Sequence, residues 1–148
     1  MTKAYKYAIV YFLLFSLLLV ISGVMLFEHK IGFSIQGVSE YYLGSEEKFI
    51  VAKSSAGVLK IVLPHIFAFA LFSMVLLHFL IFTKHRDTAH SKALIYLLFS
   101  SAALEIFSPF MIIFGAEFFV FIKIASFVLF ESLVIYIAWL LLNSIIKD

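Results

Sequence analysis

The chain has 148 residues, of which 64% are hydrophobic and 14% are charged, and its formal net charge is +2. A soluble domain of this size has too little interior for that much apolar surface, because soluble proteins average roughly 45–50% apolar residues. So small a net charge argues against nucleic-acid binding, which needs a strong basic patch. The chain has no cysteine, which excludes disulfides, iron–sulfur clusters, c-type haem attachment and thiol catalysis.

Four apolar runs fill most of the chain and predict its fold. Each has about 20 residues or more, enough for a helix with a rise of ~1.5 Å per residue to cross ~30 Å of hydrocarbon. Four helices with short connections leave no room for a second core, so residues 1–148 are predicted to form one all-α domain, a four-helix transmembrane bundle. The runs cover residues 7–27, 61–82, 93–114 and 118–142.

The first run resembles a secretory signal peptide, because Lys3 and Lys6 precede it. It is longer than the usual apolar core of ~7–15 residues, however, and no small-residue cleavage site follows it. We therefore interpret it as an uncleaved transmembrane helix.

Basic residues predict the orientation of the bundle. They stand before the first run, between the second and third runs, and after the fourth, and four spans bring these three places to one side. The positive-inside rule then puts both termini in the cytoplasm and the connection 28–60 outside. The basic residues are Lys3, Lys6, Lys84, Arg86, Lys92 and Lys147.

The connection 28–60 is too apolar to be a loose linker. Ser45, followed by two glutamates, is an N-cap signal that predicts a short helix running to about Lys53. We expect an ordered lid along the outer interface, with Tyr41 and Tyr42 at headgroup level. The alternative is an interfacial segment that only anchors the chain.

Two prolines affect the predicted helices. Pro64 is tolerated if it lies in the first turn of the second helix, but it kinks that helix and frees a carbonyl near His65 if the helix begins near Ser55. Pro109 lies four residues after Glu105, inside the third run. We expect it to bend that helix and to open polar backbone near the glutamate.

Histidines at the outer ends of the first two runs point to a b-type haem. His29 and His65 are predicted to lie at the same depth, near the outer surface of the membrane. A bis-histidine haem takes one neutral imidazole on each side of its iron. His78 lies ~20 Å deeper than His65 and ~140° around the helix axis. The alternative is that His65 makes a hydrogen bond at the interface and His29 is solvated. His85 and His90 belong to the cytoplasmic turn and are predicted to be solvated.

Three ionisable residues interrupt the last two runs. Such residues usually face a bundle interior, because charge at membrane depth is costly. Glu105 and Lys123 lie at similar depth on neighbouring helices and are predicted to pair, unless Lys123 snorkels outward. Glu131 lies near the level of His78, and we expect either one to orient the other.

Several roles for these charged residues stay open. They include a proton relay, a quinone-site acid, a neighbour of a haem propionate, a cation site and a contact with a partner subunit. The structural alternative is a neutral glutamate that accepts a hydrogen bond from one of three serines, Ser73, Ser108 or Ser126.

Four short segments carry a resemblance to a known class of protein. They are Tyr41-Tyr42-Leu43-Gly44, Leu59-Lys60, Leu63-Pro64-His65-Ile66-Phe67 and His78-Phe79-Leu80. They resemble small four-helix bacterial membrane proteins that are linked to the b-type cytochromes of respiratory complexes. The resemblance implies the bacterial inner membrane, haem b and a respiratory complex. Helices three and four carry no histidine, so a second haem site would need a second copy or a partner subunit.

Three functional hypotheses follow. The first is an electron-transfer or quinone-linked subunit that holds haem b through His65 with His29 or His78. The second is a non-catalytic accessory subunit of a larger membrane complex, with its charges buried against a partner. The third is a proton- or cation-coupled transporter that uses Glu105, Glu131 and His78. No hydrolase, metalloprotease or nucleotide-binding motif is present, so the chain is not expected to be an enzyme on its own.

Overall fold

The computed structural model describes residues 2–84 and 86–147, and the secondary structure of these two ranges is helical apart from one isolated bridge between Ser45 and Ile50. Four of the helices are long and apolar enough to cross a membrane. The predicted four-helix transmembrane bundle is therefore confirmed. The helices are α1 (Lys3–Lys30), α2 (Ile35–Leu43), α3 (Ser55–His78, continued by a 3₁₀ turn at Phe79–Phe82), α4 (Ala89–Ile113) and α5 (Phe118–Lys147).

Side-chain hydroxyls decide where two of the spans begin. Ser54 accepts a hydrogen bond from the Gly57 amide at 3.2 Å, and Thr88 accepts one from the Ser91 amide at 3.1 Å. These N-caps satisfy amides that have no partner in the first helical turn. The helices α3 and α4 therefore extend beyond their apolar runs, and Pro64 lies in the interior of α3 rather than in its first turn.

The lid between α1 and α3 is ordered, but its helix is not the predicted one. The helix α2 begins after Ser34, whose hydroxyl accepts a hydrogen bond from the Gly37 amide at 2.9 Å. It ends at Gly44, which has a φ of 86°. This conformation is nearly restricted to glycine and turns the chain away from the helix axis.

The prediction of a helix from Ser45 to Lys53 is wrong. Ser45 and Ile50 instead exchange two backbone hydrogen bonds of 2.9 Å in a tight antiparallel turn. The Ser45 hydroxyl accepts only a long hydrogen bond, 3.4 Å, from the Lys48 amide. The capping signal therefore forms a single turn, because Gly44 has already fixed the direction of the chain.

The two tyrosines of the lid have different environments. Tyr42 is 1% exposed and packs into the bundle, and its place at headgroup level stays a prediction. Tyr41 is half-buried, and the Lys53 ammonium lies 4.1 Å from the centre of its ring, a cation–π contact. Burial raises the pKa of both phenols. The lid thus closes over the outer end of the bundle by inserting an aromatic side chain.

Apolar packing forms an inner core on the side of the termini and an outer core beneath the lid. The helices α4 and α5 make the most extensive contact, while α1 packs on α5 and α3 packs on α4. Stacked rings of Phe27 and Phe127, with centroids 4.2 Å apart, join α1 to α5. The outer core consists of Phe27, Val38, Tyr42, Val58, Val62, Ile112, Val120 and Phe127.

Single-cysteine labelling tests the orientation, which stays a prediction. Because the chain has no cysteine, each introduced thiol is the only one present. We expect a membrane-impermeant maleimide to label Phe49→Cys, a 93% exposed lid position, in intact cells. We expect Lys84→Cys, at the end of the second span, to be labelled only after the membrane is permeabilised. The reverse pattern would contradict the predicted topology.

Substitution of Gly44 tests the lid turn. A Cβ at this position would lie 2.7 Å from the Ile50 carbonyl oxygen, in a backbone conformation that costs a non-glycine residue ~1–3 kcal/mol. We therefore expect Gly44→Ala to speed amide hydrogen exchange between residues 41 and 53, measured by mass spectrometry. The control is Gly57→Ala, where the new Cβ would meet its nearest atom at 3.5 Å within a helix. Equal exchange in the two variants would refute this account of the turn.

Candidate functional site

An ion pair between α4 and α5 lies in the interior of the bundle. Glu105 and Lys123 are each 8% exposed, and Lys123 Nζ donates a hydrogen bond to Glu105 Oε1. Ser126 Oγ donates to the second carboxylate oxygen, Oε2, at 3.0 Å. The predicted pairing is confirmed, and Lys123 does not snorkel outward. Both carboxylate oxygens have a donor, which is the condition under which a buried charge is tolerated.

Pro109 gives the lysine a second acceptor. A proline inside a helix has no amide proton for the carbonyl four residues earlier, which here is the carbonyl of Glu105. Lys123 Nζ lies 3.1 Å from that carbonyl oxygen and donates to it. The expectation that Pro109 opens polar backbone beside Glu105 is therefore confirmed. One ammonium group satisfies both the side chain and the backbone of the same residue.

The ion pair lies where the two apolar cores meet. On α4, Ala102 belongs to the inner core and Ile112 to the outer core, and Glu105 stands between them. Tyr42 of the lid packs in the outer core together with Ile112. The ion pair therefore has apolar packing on both sides of it along α4.

Glu131, the second acidic residue of the bundle, is in a different setting. Its side chain is half-buried and approaches α1 at Gly23. A Cβ at position 23 would lie 3.0 Å from Glu131 Oε1, so the missing side chain makes room for the carboxyl. Across residues 2–84 and 86–147, no side chain or backbone amide donates a hydrogen bond to it. Glu131 is therefore a carboxyl at membrane depth without a partner in the described chain.

The predicted contact between Glu131 and His78 is wrong. His78 is exposed at the end of α3, and its ring lies 6.3 Å from that of Phe82. No ion pair or hydrogen bond joins the two residues in the described ranges, and Glu131 approaches Gly23 of α1 instead. Ser73 is not a partner of either glutamate: its Oγ is buried and makes no hydrogen bond to any described residue.

His65 makes the backbone contact that the sequence left as an alternative. Its Nδ1 lies 2.6 Å from the carbonyl oxygen of Ile61, one turn earlier in α3, and its ring contacts Phe69 edge-on. The ring is exposed on the outer half of α3, and His29 is exposed in the last turn of α1. In the described ranges, no hydrogen bond or ring contact joins any two of His29, His65 and His78.

The histidines of the cytoplasmic turn lie apart from this region. His90 Nε2 is 3.2 Å from the Tyr136 hydroxyl, so His90 is an exposed residue with a hydrogen-bond partner on α5. His85 falls outside the described residues. Among those that are described, no group of three or more histidines, cysteines, aspartates or glutamates is placed to hold a metal ion.

Gly23 is a residue of the site that was not predicted from the sequence. A glycine within an apolar helical run commonly marks the close approach of a neighbouring group, and that signal was present in the first run. The sequence does not show that the neighbour is Glu131. Which side of α5 faces α1 depends on packing along the whole bundle.

The model of one protein family, described as a transmembrane helical domain, matches residues 32–148. The chain belongs to this family, Aq_1264_TM. The Aq_1264_TM match begins just after α1 and includes the lid helix, the Glu105–Lys123 pair and Glu131. No curated protein and no solved structure matches the chain. Together with the four apolar helices, the family identifies a multi-pass membrane protein in contact with the lipid bilayer.

Removal of the lysine tests how far the Aq_1264_TM fold depends on the ion pair. We expect Lys123→Met to lower the stability by ~3–5 kcal/mol, because it leaves a buried carboxylate without its counter-ion. It also leaves the Glu105 carbonyl with only the long hydrogen bond, 3.5 Å, from Ser108 Oγ. The measurement is thermal unfolding of the detergent-solubilised chain, followed by circular dichroism.

Two second-site changes separate the two acceptors of Lys123. Added to Lys123→Met, Glu105→Gln should recover part of the loss by removing the charge. Pro109→Ala should recover a further part by returning an amide donor to the Glu105 carbonyl. Lys92→Met, an exposed position, is the control. If Lys123→Met and Lys92→Met unfolded alike, the pair would not be needed for stability.

Proposed function

We propose that the chain is a small subunit of a respiratory or electron-transfer system in the bacterial inner membrane, and that His65 supplies an axial ligand to a b-type haem. The state of the His65 ring supports this proposal. Its Nδ1 is engaged by the Ile61 carbonyl at 2.6 Å. Histidines that bind a metal commonly donate from their other ring nitrogen to a carbonyl or carboxylate, which fixes the tautomer and the ring orientation.

The second ring nitrogen of His65 is left for a ligand. No described residue makes a hydrogen bond to His65 Nε2, and the ring stands on the exposed face of α3. A haem bound there would supply one-electron transfer, for which a membrane quinone is a suitable partner. His78 would serve a different iron, since thirteen residues of α3 separate it from His65 by ~20 Å.

The other side of the iron needs a second ligand. Within the chain that ligand would be His29, the exposed histidine at the end of α1. In a homo-oligomer or a larger complex it would come from a second copy or from a partner subunit. Either arrangement agrees with the exposure of His65, which no element of its own chain covers.

A reduced-minus-oxidised visible spectrum of the purified chain tests the proposal. We expect a sharp α-band and near-stoichiometric haem b by pyridine haemochrome after expression in a haem-replete native host. His65→Ala should abolish the Soret band, whereas the matched control His78→Ala should keep it. A Soret band that His29→Ala shifts but does not abolish would identify His29 as the second ligand. A colourless wild-type chain would remove the haem proposal.

A non-catalytic accessory subunit is the second candidate, and the uneven burial of the spans favours it. In the most apolar stretches of α1 and α3, 17% and 22% of the residues are buried. The corresponding share is 39% in α4 and in α5. A partner would cover these two helices, whereas the Glu105–Lys123 pair is satisfied within the chain and needs no partner. A colourless chain that co-purifies with other membrane subunits, and loses them on Glu131→Ala, is the expected result for this role.

A proton- or cation-coupled transporter is the third candidate. The unpaired carboxyl of Glu131 favours it, because ionisable groups at membrane depth commonly mark ion pathways. Its test is ion flux in proteoliposomes that contain the purified chain. The absence of flux under imposed proton, sodium and potassium gradients would remove this candidate.

A further inference from the structure

Glu105 and Glu131, the two glutamates at membrane depth, differ in their hydrogen-bond donors. Glu105 has a donor on each carboxylate oxygen and an ammonium in contact. Glu131 has no hydrogen-bond donor among the described residues. It is the fourteenth residue of α5, ~20 Å from the start of a helix of 30 residues, which is close to its middle. An ionised carboxylate without a partner is very costly in such a place, whereas the neutral acid is not.

The surroundings of Glu131 offer few charges. Lys123, the buried cation of the same helix, is paired with Glu105 of α4. The helix α1 contributes the backbone of Gly23. Among the described residues, no cation forms an ion pair with Glu131, so none holds it in its ionised form.

The donor set around Glu131 suits a proton better than a metal cation. Hard cations take about six or more oxygen ligands. Here the backbone oxygens of α1 are engaged in a continuous helix, and the neighbouring Ser22 hydroxyl is exposed and donates to the Leu19 carbonyl at 2.9 Å. Among the described residues, the Glu131 carboxyl is the acidic group that lies against Gly23. A proton needs no more than that.

We infer that Glu131 is a proton-binding site of the bundle, with the acid form of its carboxyl lying against Gly23 on the seam between α1 and α5. Gly23 admits the carboxyl into the seam, and the half-exposure of Glu131 leaves a route for the proton from outside the bundle. Glu105 keeps its separate partners, Lys123 and Ser126. The inference does not depend on haem, because no histidine takes part in it.

Dicyclohexylcarbodiimide, an apolar reagent for protonated carboxyls, tests the inference on the full chain in membranes. The acid proton passes to a carbodiimide nitrogen while the carboxyl oxygen bonds to the central carbon. The acyl group then moves from oxygen to nitrogen, which leaves a stable N-acylurea, and no group departs. Peptide mapping by mass spectrometry locates the product.

We expect label on Glu131 and none on Glu105, with a labelling rate that falls as the pH rises. Gly23→Ala should reduce the rate, because its Cβ would meet Glu131 Oε1 at 3.0 Å and the carboxyl must move. The matched control is Gly57→Ala in α3, which should leave the rate unchanged.

Infrared spectroscopy provides a second readout that does not need reagent access. We expect the carbonyl band of a neutral carboxylic acid in the wild-type chain and its loss in Glu131→Gln. Thermal unfolding should show that this variant keeps its fold. The absence of a neutral-acid band sensitive to Glu131→Gln would overturn the inference. Labelling that is independent of pH but blocked by sodium would also overturn it, in favour of a metal-cation site.

Discussion

The contact of one ammonium group with Glu105 is the constraint on which the centre of the bundle depends. Lys123 donates to the carboxylate and also to the carbonyl that Pro109 leaves without an amide. Ser126 completes the set by donating to the second carboxylate oxygen. In a hydrocarbon surrounding, each of these groups is costly to leave alone. The four residues therefore act as one unit that joins α4 to α5, and the lid and both cores pack around it.

His65 and Glu131, two other polar residues of the membrane region, differ in their hydrogen-bond partners. His65 turns one nitrogen to its own helix and leaves the other open on an exposed face. Glu131 is turned inward against Gly23 and has no hydrogen-bond donor among the described residues. The proposed haem ligand thus lies on the exposed face of α3, whereas the proposed proton site lies on the seam between α1 and α5. The central ion pair takes part in neither region, because its groups are satisfied by one another.

The spans were predictable because their length and apolar composition are set by the bilayer, whereas their ends were not. Ser54 and Thr88 extend α3 and α4 past the apolar runs through capping, which hydropathy does not register. The lid helix was misplaced because the signal at Ser45 is local, and Gly44 had already turned the chain. At the candidate site, matching depth was enough to predict the Glu105–Lys123 pair. Depth alone failed for Glu131, since the direction of a side chain around its helix follows from packing with every neighbour.

The short connection between α4 and α5 has a consequence for how the chain enters the membrane. A turn of four residues after Ile113 brings the paired charges face to face on consecutive helices. Either charge alone would make the insertion of its helix less favourable. A hairpin that forms the pair before leaving the translocon presents no net charge from these two residues to the lipid. The last two spans are therefore built to integrate together, as one neutral helical hairpin.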